Sequence, residues 1–186
     1  MTYKALGVVD QAIQQYTLAI TLDPTNYLPE LYSSRALASI GQYPQAEQYA
    51  NAAVQDAPTD PYVLGNWGYM LYKSNQWPAA IQQLSLTVNG GKTADGQIVQ
   101  PLPPSNNDTW VSTYYYTYAL VLAQSNLCSQ ALPLTQTIMD AFRQNDIAVY
   151  NAQYAQDYCA KNIGTAAPQG TTTPQALTTP GPTPTP

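Results

Sequence analysis

No histidine occurs anywhere in the 186 residues. Ser-His-Asp and Cys-His catalysis and histidine-based metal sites are therefore excluded. The side chains left for chemistry are 11 acids, six bases, two cysteines and 16 tyrosines. The acids that lie close in sequence, Asp56 and Asp60, and Asp108 beside Asn106 and Asn107, fit helix ends and loop turns rather than paired acid–base work. Gly91-Lys92-Thr93 has the last residues of a phosphate-binding loop, but that motif needs glycine where Leu86 stands. The expectation is a protein that is not an enzyme and has no cofactor and no metal. Its bases, Lys4, Arg35, Lys73, Lys92, Arg143 and Lys161, are scattered and outnumbered, so no basic stripe is offered to a nucleic-acid backbone.

Charged residues make up only 9% of the chain, where about 25% is usual. Solubility must then rest on Gln, Asn, Ser, Thr and tyrosine hydroxyls. No run approaches the roughly 20 apolar residues of a membrane-spanning helix, and Asp10 ends the first apolar patch too early for a secretory signal.

One spacing organises what remains. Gly7, Ala12 and Pro24 recur as Gly41, Ala46 and Pro58, each 34 residues on, and Asn75, Ala80 and Leu84 follow Gly41, Ala46 and Ala50 by the same 34. A fixed period of this size marks stacked helical hairpins, with a small residue where helices cross, Gly or Asn at the turn and Pro where the second helix stops. Helices are expected over 3–22, 27–40, 43–56, 60–74, 77–88, 110–124, 128–142 and 146–161, from apolar spacing and from Pro44, Pro61 and Pro78 in first turns. An insertion at 90–109 carries Asp95-Gly96, a hairpin turn, and then an extended proline segment.

The stretches LGVVDQAIQQYTLAITLDP, from Leu6, and NWGYMLYKSNQWPAAIQQL, from Asn66, resemble the tetratricopeptide repeat, with its Trp-Gly pair and its alanine. The resemblance implies an all-α solenoid over residues 1–163, of about four helical hairpins. In that register Leu6 and Gly7 fall at the turn of the first repeat, whose first helix is missing, and the helix at 146–161 is the first of a repeat with no second. From 164 to 186 a Thr/Pro tract follows that favours an extended tail.

The last hairpin turns near Gln144, with Cys128 16 residues before it and Cys159 15 after it. Antiparallel helices would set the two cysteines opposite each other for a disulfide; two buried free thiols are the alternative. A bridge and a Thr/Pro tract both suit an extracellular or cell-surface setting, with the periplasm or envelope as second choice. Asn107-Asp108-Thr109 matches the N-glycosylation acceptor pattern, and Thr171, Thr172, Thr173, Thr178, Thr179, Thr183 and Thr185 have the look of an O-glycosylated stalk, a bare linker being the alternative.

In tetratricopeptide repeats the first helix of each hairpin lines the inner groove. That pattern places Tyr62, Tyr69, Tyr72, Tyr116, Tyr150 and Tyr154 there, with Trp67, Leu71, Tyr118 and Leu122 turned inward as packing. Chaperone-binding members of the family clamp a terminal carboxylate with Lys and Arg; here only Arg35 and Lys73 reach that surface. A tyrosine-lined groove suits an extended Pro-rich peptide instead. Two functions follow as expectations. One is a structural protein that self-associates head to tail, as a filament or surface-assembly subunit, through its two unpaired end helices, the tail of one copy lying in the groove of the next. The other is a monomeric adaptor that binds an extended peptide of another envelope or secreted protein. A carbohydrate-binding accessory is a third class, and it requires exposed, coplanar rings.

Overall fold

The computed structural model describes residues 3–162. Eight helices run through them: α1 Tyr3–Leu22, α2 Leu28–Ser39, α3 Tyr43–Asp56, α4 Pro61–Lys73, α5 Trp77–Asn89, α6 Thr109–Gln124, α7 Cys128–Ala141 and α8 Asp146–Asn162. Helices α2/α3, α4/α5 and α6/α7 form hairpins, α1 packs on α2, and α8 packs on α6 and α7. The first helices α2, α4, α6 and α8 touch in succession and make one continuous face.

The 34-residue landmarks have a local cause. Gly41, Asn75 and Asn126 hold positive φ of 79°, 59° and 60°, the left-handed cap that ends a helix. After each, the next backbone N–H reaches back to the same leucine: Gln42 to Leu37, Gln76 to Leu71 and Leu127 to Leu122, at 3.0, 2.8 and 2.9 Å. Three hairpins thus turn by one geometry. The small positions of the second helices are fully enclosed: Ala46, Ala50 and Ala53 in α3, Ala80, Leu84 and Thr87 in α5, and Ala131, Thr135 and Ile138 in α7 all have 0% exposure. Gly68 is needed at the α4–α5 crossing, since a Cβ there would stand 2.7 Å from Leu84 Cγ. Gly7 does not turn the chain; it lies inside the continuous helix α1.

The insertion is the expected hairpin. Strands β1 Gly91–Lys92 and β2 Ile98–Val99 pair antiparallel around Asp95 and Gly96. The chain then returns along the hairpins. Leu102 is buried, its N–H donates to the Thr87 carbonyl at 2.8 Å, and its own carbonyl accepts from Tyr115 Oη at 2.7 Å. Asn106 donates to the Ala141 carbonyl at 3.0 Å, which ties the end of the insertion to α7.

Candidate functional site

Tyr69 and Tyr72 on α4, Tyr116 on α6 and Tyr154 on α8 share one neighbourhood on the first-helix face, and Tyr43, from the start of α3, joins them. Lys73 Nζ lies 5.4, 5.3 and 6.0 Å from the ring centres of Tyr43, Tyr69 and Tyr72, a cation spread over three aromatic faces. Burial pushes the Tyr69 hydroxyl far above the usual tyrosine range, and the neighbouring Tyr43 and Tyr116 add to the shift. Burial also raises Tyr72, against a lowering hydrogen bond from Gln124, and it raises Tyr116. Tyr69, Tyr72 and Tyr116 thus stay neutral hydrogen-bonding groups at any ordinary pH. Tyr43 falls outside the helix positions that the repeat pattern marks, so only the folded turn brings it in.

Tyr62 stands apart from that set. It lines a cavity of about 240 Å³ with Tyr27, Leu28, Leu31, Tyr32, Arg35, Asp60 and Asp108, at the amino ends of α4 and α6. Asp60 caps α4: Oδ1 accepts from the Tyr62 and Val63 N–H groups at 2.8 and 3.4 Å, and Oδ2 accepts from Tyr27 Oη at 2.6 Å. That hydrogen bond, with burial, pushes the Tyr27 hydroxyl up to about 12. Asp108 caps α6 through Oδ1, which accepts from Trp110 N–H at 2.8 Å.

Arg35 is not a free groove base. It is 9% exposed, donates through Nη2 to Tyr114 Oη at 2.7 Å and meets Asp108 Oδ2 at 3.5 Å through Nη1. Its guanidinium also lies 5.3 Å from the Trp110 ring centre and 5.9 Å from that of Tyr114. The structure therefore corrects the surface placement of Arg35. The cause is Gly65, where a Cβ would collide with the Tyr114 ring; its absence lets that ring in beside α4 and α2.

Tyr150, with Ile147, is exposed on α8. Trp67 is half-buried against the core, and Leu71, Tyr118 and Leu122 are buried. The ring pairs in contact meet at 34°, 79°, 39° and 64°, not as the flat shared platform that sugar stacking requires. Cys128 and Cys159 stand at disulfide distance, with Sγ atoms 2.10 Å and Cα atoms 5.5 Å apart, linking the start of α7 to the last turn of α8. Asn107 is exposed in the loop before α6. Thr171, Thr172, Thr173, Thr178, Thr179, Thr183 and Thr185 lie outside the described residues. Among the described residues no cluster of three or more His, Cys, Asp or Glu could hold a metal ion, and no helix is long and apolar enough to cross a membrane.

Repeated hairpins with one turn geometry and a continuous first-helix face define a tetratricopeptide-type α-solenoid, and the comparisons agree. YrrB, a tetratricopeptide-repeat protein described as having an unusual peptide-binding site, is similar in structure with a TM-score of 0.57, at 16% identity, over 87% of this chain and 74% of its own. MamA is similar with a TM-score of 0.55, at 17% identity, over 87% of this chain and 90% of its own. A tetratricopeptide repeat protein from Parabacteroides merdae gives 0.57, at 11% identity, over 86% and 56%. In sequence, 108 residues are 30% identical to the anaphase-promoting complex subunit CDC16 of Saccharomyces cerevisiae, covering 58% of this chain and 12% of that protein. No family profile matches the sequence. The likeness to these solved structures is one of fold.

Proposed function

We propose that this chain is a non-enzymatic adaptor whose first-helix face binds an extended, proline-bearing segment of another protein, in an extracellular or cell-surface setting. The observation that carries the reading is the convergence of Tyr69, Tyr72, Tyr116 and Tyr154 from three successive first helices, with Tyr43 added at the edge. Tyrosine rings give flat apolar faces for proline and hydroxyls for backbone carbonyls, and a polyproline segment loses little conformational freedom when it docks. The peptide-binding site described for the similarly folded YrrB lends support by analogy. The cysteine pair and the Thr/Pro sequence of the tail support the oxidising setting. Titration with acetylated, amidated decaproline tests the groove. Saturable shifts of the Tyr69 and Tyr116 ring signals that disappear in Tyr116→Ser support it; no shift at millimolar peptide overturns it.

Head-to-tail self-association is a second reading, favoured by one observation. Ala12, Tyr16 and Ala19 of α1 are the counterparts of the enclosed triads in α3 and α5, yet they are only half-buried, and Val8, Leu18 and Leu22 beside them are exposed. The exposed Ile147 and Tyr150 of α8 offer an apolar face that a second copy could cover, completing a hairpin between molecules. Docking of the 171–186 tail in the groove of the next copy belongs to this reading. Sedimentation of the purified chain and of Leu18→Glu tests it: a concentration-dependent assembly lost in the variant supports it, and a monomer at high concentration removes it.

A further inference from the structure

We infer that the cavity at the amino ends of α4 and α6 receives a basic side chain, arginine or lysine, from the extended partner segment. The inference rests on the groove reading above and adds to it the chemistry of the partner. Its walls are aromatic: Tyr27, Tyr32 and Tyr62 surround about 240 Å³, and Tyr32 and Tyr62 are 43% and 36% exposed, so their rings are open to a ligand. The negative face of a tyrosine ring attracts a cation. The charge is unbalanced, with two carboxylates, Asp60 and Asp108, against the single guanidinium of Arg35.

The two acids differ in what they have left to offer. Asp60 already accepts three hydrogen bonds, from Tyr62 N–H, Val63 N–H and Tyr27 Oη. Asp108 Oδ2 has only Arg35 Nη1, at 3.5 Å, and the Asp108 side chain is 31% exposed. Arg35 cannot close that gap well, because its Nη2 is held by Tyr114 Oη at 2.7 Å and its plane is packed against Trp110 and Tyr114. An incoming guanidinium or ammonium would find at Asp108 an under-used acceptor flanked by tyrosine rings, and the chain's net charge of −5 favours its approach.

The location also sets a spacing. Tyr62 and Tyr69 are seven residues apart on α4, about 10 Å at 1.5 Å per residue. About three residues of extended chain span that distance. The partner segment should thus carry its basic residue about three positions from the proline that packs on Tyr69. Residues 163–186 contain no Lys or Arg, so that tract does not supply this group, and the occupant assigned here is a segment of a different protein.

Two probes separate cavity from groove. N-acetylarginine amide and its uncharged isostere N-acetylcitrulline amide, followed by NMR at Tyr32, Tyr62 and the Asp108 N–H, test the cavity alone. The expected result is a saturable arginine response about fivefold or more tighter than citrulline, with the difference lost in Asp108→Asn, which keeps the helix cap, and weakened in Tyr62→Ser. Equal responses to the two probes, or an arginine preference that survives both variants, overturns the proposal. Proline-rich peptides carrying one Arg or one citrulline then report on the groove. Equal binding of the two, with shifts at Tyr69, would leave the groove and overturn the cavity; an arginine preference in the small probes without any peptide shift at Tyr69 would support the cavity and overturn the groove.

Discussion

Arg35 shows how depth escapes a periodic pattern at the scale of one residue. The period places it correctly on a first helix, but its partners Asp108 and Tyr114 lie 73 and 79 residues away, across the insertion, and no local signal announces them. The two halves of this pair should respond unequally to mutation. Removing Arg35 leaves a buried Tyr114 hydroxyl and an acid without their donor, whereas Asp108 is partly solvated and its capping role passes to asparagine. We expect Arg35→Ala to cost about 2–4 kcal/mol in urea denaturation and Asp108→Asn less than about 1 kcal/mol. Equal costs would mean that the guanidinium contributes no more than its surface partner. Gly68→Ala should destabilise by about 1–3 kcal/mol, because its Cβ would press on the fully buried Leu84 against two packed helices, and the same measurement checks it. A neutral result would show that α5 shifts to make room.

At the scale of elements, the helices and hairpins were legible because their determinants are local. A left-handed Gly or Asn and a leucine five residues before the second turn residue recur at the α2–α3, α4–α5 and α6–α7 turns, and a proline in the next helix's first turn joins them at the first two. Bounds shifted by a residue at several ends, as at α6, which starts on Thr109 because Asp108 is its cap. Pro133 is tolerated inside α7, five residues past the Cys128 start and within the helix expected over 128–142. The tyrosine surface was only half legible, since the pattern gives which helix face a ring occupies and not which rings meet; hence Tyr62 falls away from Tyr69, and Tyr43 comes in from a second helix. The Cys128–Cys159 pair belongs to this scale, closing a loop of 31 residues around the α7–α8 turn. The chain-entropy relation assigns such a closure about 3–4 kcal/mol. Mass spectrometry of non-reduced peptides should find the linked pair, and reduction should raise hydrogen exchange in α8 before any other helix, because the bridge joins α8 to α7, one of the two helices, α6 and α7, that form its main packing. Two free thiols in protein isolated without reductant, or a uniform rise in exchange over all helices, would overturn this.

Across the whole molecule, few charges and many tyrosines make the hydroxyl, not the ion pair, the group through which stability depends on pH. Arg35 and Asp108 form the one salt bridge within 4.0 Å among the described residues, while burial or hydrogen bonding raises Tyr27, Tyr69, Tyr72, Tyr114, Tyr115 and Tyr116 above their ordinary value of 10.0. A tyrosine is an acid that charges on losing its proton, so a raised value in the fold means that the unfolded chain ionises first. Its contribution is complete below pH 10 and is lost as pH rises from 10 through the folded value. Tyr115 fixes the window: it is buried, its Oη donates to the Leu102 carbonyl, and burial pushes it up to about 12. Each such group can lower stability by at most about 1.4 kcal/mol per pH unit over that window. Denaturation midpoints should therefore stay level from pH 7 to 9 and fall steeply between 10 and 12, with the tyrosinate absorbance of these six hydroxyls appearing together with unfolding. Tyr115→Phe should lower stability at pH 7, through the lost hydrogen bond that anchors the insertion, and should flatten the alkaline fall. A fall already under way at pH 8, or tyrosinate absorbance developing fully in the folded protein near pH 10, would mean that these hydroxyls are solvated and that the helices do not enclose them as the packing of α4, α6 and the insertion implies.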